Sequence, residues 1–128
     1  MTFVLIDTSV WIDYFKGSGN INNIEFEELI DSNKICTNDL ILSELIPSLH
    51  LRKEIELIDI LQTIRRIPIE INWNEIIELQ KNNLKCGLNN VGIPDLIIVQ
   101  NLIQNNLSIC TLDKHFRLMA KFYKYVVL

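Results

Sequence analysis

Short, uninterrupted apolar runs alternate along this chain with longer stretches of helical period, and that alternation leaves few folds open. Phe3–Ile6, Lys34–Thr37, Arg66–Ile69 and Leu107–Thr111 have the length of buried strands, and Tyr125–Val127 supplies a fifth. Helical patterns fall between them at Val10–Phe15, Ile24–Ile30, Leu40–Leu49, Lys53–Ile64, Trp73–Leu84, Asp95–Asn105 and Phe116–Lys121. Strands separated by helices do not pair as tight hairpins; they are joined by crossovers and lie parallel. Continuous apolar character, rather than strict alternation, implies helices on both faces of the sheet. The expected architecture is α/β: a three-layer α/β/α sandwich around a short, mainly parallel five-stranded sheet, with residues 1–128 forming one domain.

Local punctuation agrees with this layout. Gly17-Ser18-Gly19-Asn20 reads as a turn and Leu88–Gly92 as a loop. Asn72 with Glu75 three residues later resembles a capping pair, and Pro94 suits the first turn of a helix. Pro47 predicts a kink or an end in its helix.

Composition narrows the function. The chain is 48% apolar and 22% charged, a globular balance. Its high apolar share fits either an Ile/Leu-rich core or a surface covered by a partner. No apolar stretch reaches the roughly 18 residues of a membrane span. Asp7 interrupts the first apolar run, so no secretory signal is expected. Cys36, Cys86 and Cys110 are far apart and form no C-x-x-C, which points to reduced thiols and a cytoplasmic location.

Four acids have unusual settings. Asp7 follows the first strand directly, and Asp113 follows the fourth by one residue. In an open α/β sheet, ligands bind beyond the C-terminal ends of the strands, where the strand order reverses. If those two strands are neighbours, about 4.8 Å apart, their carboxylates fall together. Asp95 opens a strongly apolar helix, and Glu44 lies at the margin of a core-facing stripe, between Leu40 and Ile41 on the helical wheel. Each has an ordinary explanation alone, as an N-cap, a dipole partner or a solvated edge residue. Together, two carboxylates 4 Å apart repel by roughly 4 kcal/mol at an effective dielectric near 20. Convergence would therefore demand protons or cations. An all-oxygen set with no nearby His or Cys favours Mg²⁺ or Mn²⁺ over zinc, and with it hydrolysis at phosphorus. Net charge is −4, from 12 basic and 16 acidic residues, which alone disfavours a nucleic-acid partner. Setting the four acids aside balances the two signs. Lys114, His115 and Arg117 follow Asp113 and are candidate phosphate contacts, or simply a solvated helix start.

These motifs resemble those of the PIN-domain ribonucleases, and in particular the VapC-type toxins of toxin–antitoxin pairs. The carriers are DTSVWIDYF at 7–15, SEL at 43–45, PDLII at 94–98 and TLDKHF at 111–116. The resemblance implies that Asp7, Glu44, Asp95 and Asp113 bind metal and carry catalysis, with Ser9 and Thr111 as polar supports. It further implies an Mg²⁺- or Mn²⁺-dependent endoribonuclease, a homodimer, a small antitoxin partner and single-stranded or looped RNA as substrate. Bulky Ile and Val after the third acid, and few basic residues between 87 and 113, depart from the family's pattern.

Other readings stay open at this level. The domain could be a catalytically weak RNA- or protein-binding module, or an RNA-processing nuclease that is not a toxin. Phosphoryl transfer through an aspartyl phosphate at Asp7 would want a second acid two residues on, where Ser9 stands. Trp11 and Trp73 are expected as core or interface anchors, with Trp11 a possible dimer contact. His50 and Asp13 are expected on the surface.

Overall fold

The structure, a computed structural model, describes residues 2–128. It contains β1 (Val4–Ile6), α1 (Thr8–Lys16), α2 (Asn23–Asp31), β2 (Ile35–Thr37), α3 (Asp39–Leu51), α4 (Ile55–Thr63), β3 (Arg65–Arg66), α5 (Trp73–Lys85), α6 (Ile93–Asn105), β4 (Ser108–Cys110), α7 (Lys114–Met119) and β5 (Val126–Val127). The sheet order is β3-β2-β1-β4-β5, and every neighbouring pair is parallel. The chain winds outward from β1 to β3, then returns past β1 to β4 and β5. Right-handed crossovers accordingly place α1–α4 on one face and α5–α7 on the other. Two contacts tie the second layer together. The Tyr123 hydroxyl donates to the Leu79 carbonyl at 2.9 Å, and Asn83 Nδ2 meets Met119 Sδ at 3.5 Å.

Leu5, Ile6, Cys36 and Ile109 are fully buried at the sheet centre, covered by side chains that include Trp11, Ile41, Leu96 and Leu102. Side-chain caps start α3 and α5. Asn38 accepts from the Ile41 N–H at 2.9 Å, and Asn72 accepts from the Glu75 N–H at 3.2 Å. Pro94 lies in the first turn of α6, as expected.

Three sequence expectations are corrected, and the open reading of Trp11 is narrowed to core. The third strand is Arg65–Arg66, an exposed edge, rather than a buried Arg66–Ile69. The Ile67 N–H still reaches the Thr37 carbonyl at 2.8 Å, but Pro68 has no N–H to continue the ladder. The arginines protect this edge: Arg65 lies over the Phe3 ring at 4.6 Å, and Arg66 pairs with Asp39 at 3.2 Å. Helix α3 runs four residues past Pro47, because burial of Ile41, Leu42, Leu45 and Leu49 on both sides outweighs one missing hydrogen bond. Trp11 is 1% exposed between Phe15 and Phe26, with ring centroids 5.6 and 5.3 Å away, so it is a core residue and no part of an outer face. Asp13 is buried, not exposed. Its carboxylate accepts from the Asn20 N–H, Asn20 Nδ2 and the Ile21 N–H at 3.4, 2.9 and 3.1 Å, which pins the turn after α1. Trp73, by contrast, is 58% exposed.

Candidate metal centre

The β1–β4 register pairs Ile6 with Cys110, so Asp7 and Thr111 leave the sheet side by side. This is where the strand order reverses. Asp7 occupies the N-cap position of α1, yet its side chain makes no cap. Instead its Oδ2 accepts from Ser9 Oγ at 2.7 Å and Thr111 Oγ1 at 2.8 Å. Each hydroxyl in turn accepts a backbone N–H of the β4–α7 turn. Leu112 donates to Ser9 Oγ at 3.0 Å, and Asp113 donates to Thr111 Oγ1 at 2.9 Å. Ser9 and Thr111 thus brace Asp7 against the segment that carries Asp113.

Asp113 caps α7. Its Oδ1 accepts the His115 backbone N–H at 2.9 Å and lies 3.0 Å from His115 Nδ1. Asp95, the third residue of α6, comes in from the second helical layer. A carboxylate oxygen of Asp95, one of Asp113 and a ring nitrogen of His115 all lie within 4.8 Å of one another. Glu44 arrives from α3 on the opposite layer, and its Oε2 accepts from Thr8 Oγ1 at 3.3 Å.

The electrostatics join the four acids into one cluster. Burial, then the charges of Asp113 and Asp7, push the Asp95 carboxyl up to about 6. His115 pulls it down, and Glu44 adds to the rise. Glu44 is itself raised, chiefly by burial and also by Asp7, while its Thr8 bond works the other way. Asp7, Glu44, Asp95 and Asp113 therefore share one field although they stand on four different elements. Carboxylates gathered in this way are a donor set that fits a hard divalent cation, which would relieve the part of the Asp95 rise that comes from its acidic neighbours.

The structure separates the three candidate phosphate contacts. His115 turns inward to the acids, so the expectation of no nearby histidine is corrected. Lys114 is exposed. Arg117 borders a cavity of about 390 Å³ with Val10, Ile21, Phe26 and Leu112. Sequence reasoning missed Thr8, which holds Glu44; its only signal was its place beside Asp7. It also missed a small cavity of about 140 Å³ between α1 and α3, where Lys16 and Arg52 line the same hollow as Glu44, Ile12 and Phe15. Their spacing in sequence gives no hint that they meet. His50 is exposed on α3, as expected.

Among the described residues, no helix is long and apolar enough to cross a membrane. No curated protein matches the chain in sequence. Solved structures match it closely in fold. VapBC2 from Rickettsia felis, bound to a DNA fragment from its promoter, gives a TM-score of 0.76 at 16% identity, covering 99% of this chain and 98% of that one. DNA-bound VapBC from Salmonella typhimurium gives 0.72 at 15% identity, covering 100% and 98%. FitAcB from Neisseria gonorrhoeae gives 0.64 at 18% identity, covering 98% and 96%. The PIN domain family model matches residues 4–122, and this chain is a member of that family.

Proposed function

We propose that this protein is a divalent-cation-dependent endoribonuclease acting as the toxin of a toxin–antitoxin pair. The observation that carries this reading is the convergence of Asp7, Glu44, Asp95 and Asp113 beyond the β1–β4 switch point, from four separate elements, in one mutually coupled cluster. Mg²⁺ or Mn²⁺ held by these carboxylates would supply the Lewis acidity that phosphodiester hydrolysis needs. The protein's own contribution is placement. Ser9 and Thr111 fix the Asp7 carboxylate, the α7 cap fixes Asp113, and Thr8 steadies Glu44. Lys16 and Arg52 stand in the hollow that Glu44 borders, positioned to meet the phosphates of a strand lying between α1 and α3.

Structural neighbours in VapBC complexes support a small antitoxin as partner. Exposed apolar residues Trp73, Ile77 and Leu84 fall on one stripe of α5, which suits a protein-covered surface and the expected homodimer.

Cleavage of a panel of structured RNAs with Mg²⁺, Mn²⁺ or EDTA tests the activity. We expect cleavage with either ion, none in EDTA, and loss of turnover with retained RNA binding in Asp7→Asn. Equal turnover by the two proteins would exclude the metal-centre reading.

A further inference from the structure

We propose that the exposed face of α7 and of the turn after it is the track along which single-stranded RNA leaves the metal centre. Lys114, Arg117, Lys121 and Lys124 meet its phosphates, and Phe122 stacks on a base. The inference rests on the nuclease reading above and deepens it, by naming a surface that the substrate takes.

Three observations carry it. First, charge is segregated along the chain. Residues 114–128 contain these four cations and no acid, whereas residues 1–113 hold the other eight basic residues and all 16 acidic ones. All four cations are exposed, and none has an ion-pair partner among the described residues. A basic stripe on an otherwise acidic molecule is the electrostatic footprint of a polyanion.

Second, the fold aligns them. Helical winding continues past α7: the Lys121 N–H reaches the Leu118 carbonyl at 3.2 Å, and the Tyr123 N–H reaches the Met119 carbonyl at 3.1 Å. Phe116 and Met119 are buried, and the Tyr123 hydroxyl is held by Leu79 and Asn83. Those residues, spaced i, i+3, i+7, fix the inner face. Lys114, Arg117 and Lys121 repeat the same spacing on the opposite face. At about 1.5 Å per residue their stripe is about 10 Å long, enough for consecutive phosphates of one strand.

Third, an aromatic ring stands among the cations. Phe122 lies between Lys121 and Lys124 and is 51% exposed, while its neighbour Tyr123 takes the inward place. Cations that follow a backbone, with a ring free to stack on a base, are the pattern of single-strand binding.

The stripe also starts at the site. Lys114 follows Asp113 directly, whereas Lys16 and Arg52 share a hollow with Glu44. The two cationic surfaces therefore leave the acid cluster from different members, as the two sides of a cut strand require. An acidic protein segment is the rival occupant, and it has no use for an exposed phenyl ring.

The test uses the full chain carrying Asp7→Asn and a short single-stranded RNA of mixed sequence, read by fluorescence anisotropy over a range of salt. Arg117→Gln, Lys121→Gln and Lys124→Gln together should weaken binding by at least about tenfold. The slope of log affinity against log salt should become shallower by about 2, for three lost phosphate contacts. Phe122→Leu keeps the apolar bulk and loses the aromatic face. It should weaken binding by at least about fivefold and leave the slope unchanged. Amide shifts of the Asp7→Asn parent titrated with the same RNA should concentrate in residues 112–124, which decides the point even if a stripe variant does not fold. Unchanged affinity and slope in the triple variant, or shifts that avoid this segment, would overturn the track and leave the nuclease reading to the cleavage assay. An oligoglutamate peptide that binds as tightly as the RNA and is lost equally in the triple variant, with Phe122→Leu neutral, would also overturn it in favour of an acidic protein partner. Wild-type protein that neither binds nor cleaves RNA with Mg²⁺ or Mn²⁺ would overturn both.

Discussion

Thr111 and Asp7 are 104 positions apart in the chain, yet the threonine hydroxyl donates to Asp7 Oδ2 at 2.8 Å. The hydroxyl oxygen of Thr111 in turn accepts the Asp113 N–H at 2.9 Å. A single hydroxyl thus sets the distance between the acid that ends β1 and the acid that follows β4. Parallel pairing of those strands is what makes the contact possible, since it brings both C-terminal ends to one edge of the sheet.

Thr111→Val keeps the shape of the side chain and removes both bonds. It leaves the Asp113 N–H without its acceptor, and Asp7 with one donor instead of two. Urea unfolding should show a loss of about 1–3 kcal/mol. Metal affinity measured by calorimetry should fall by about 10- to 100-fold, the usual cost of removing an outer partner of a ligand. Undiminished affinity would show that the hydroxyl holds the turn without positioning Asp7.

Ser9 and Thr111 donate to the same oxygen, so their substitutions should not be additive. Ser9→Ala and Thr111→Val, alone and combined, should give a coupling energy of at least about 0.5 kcal/mol in a double-mutant cycle on metal binding. Strict additivity would mean that the two hydroxyls act on separate features.

Much of this site could be read before folding, and the reason is positional. Asp7 and Asp113 sit at strand ends, a place that parallel α/β topology already marks, and Asp95 sits in the first turn of an apolar helix. The β3 edge was not legible, because the apolar look of Ile67–Ile69 hid the effect of Pro68 on the ladder. Nor was the burial of Asp13, whose partners Asn20 and Ile21 belong to a turn that doubles back on its own helix. His115 looked like one cation among three at a helix start. Its inward aim depends on a rotamer and on a contact with its own cap, neither of which periodicity encodes.

Asp13 offers a control for the acid cluster. It is a buried carboxylate within α1, the helix that follows Asp7, but its three acceptor contacts all serve the turn after α1. Asp13→Ala should cost about 1–3 kcal/mol of stability by leaving two backbone N–H groups and an amide short of a partner. Metal affinity of the folded fraction should be unchanged. A large loss of affinity would extend the metal site to α1 beyond Ser9.

Lys16 and Arg52 should matter for RNA and not for metal. With turnover removed by Asp7→Asn, the Lys16→Ala/Arg52→Ala pair should weaken binding of a short single-stranded RNA. The slope of log affinity against log salt should become shallower by about 1.4, as expected for two lost phosphate contacts on a single strand. An unchanged slope would show that the hollow between α1 and α3 carries no RNA.

The raised Asp95 carboxyl makes a signed prediction about pH. Folded Asp95 titrates at about 6, against an ordinary value of 3.8. Between those values the folded protein holds a proton that the unfolded chain has released. Without metal, stability therefore falls as pH rises from about 4 to about 6, and the deficit persists above. Asp95→Asn removes the deficit. In EDTA at pH 8 it should be more stable than the parent, by about 1 kcal/mol after discounting for a carboxyl that is only half-buried. The difference should vanish below pH 4. Cation binding has the opposite dependence, because it needs the ionised carboxylate. Parent metal affinity should climb with pH to about 6 and then level, releasing a fraction of a proton that calorimetry in two buffers of different ionisation enthalpy can count. Thermal melts in EDTA from pH 4 to 8 check the first half. An Asn variant less stable than the parent at pH 8 would mean that Asp95 is not under the repulsion that a cation is needed to relieve.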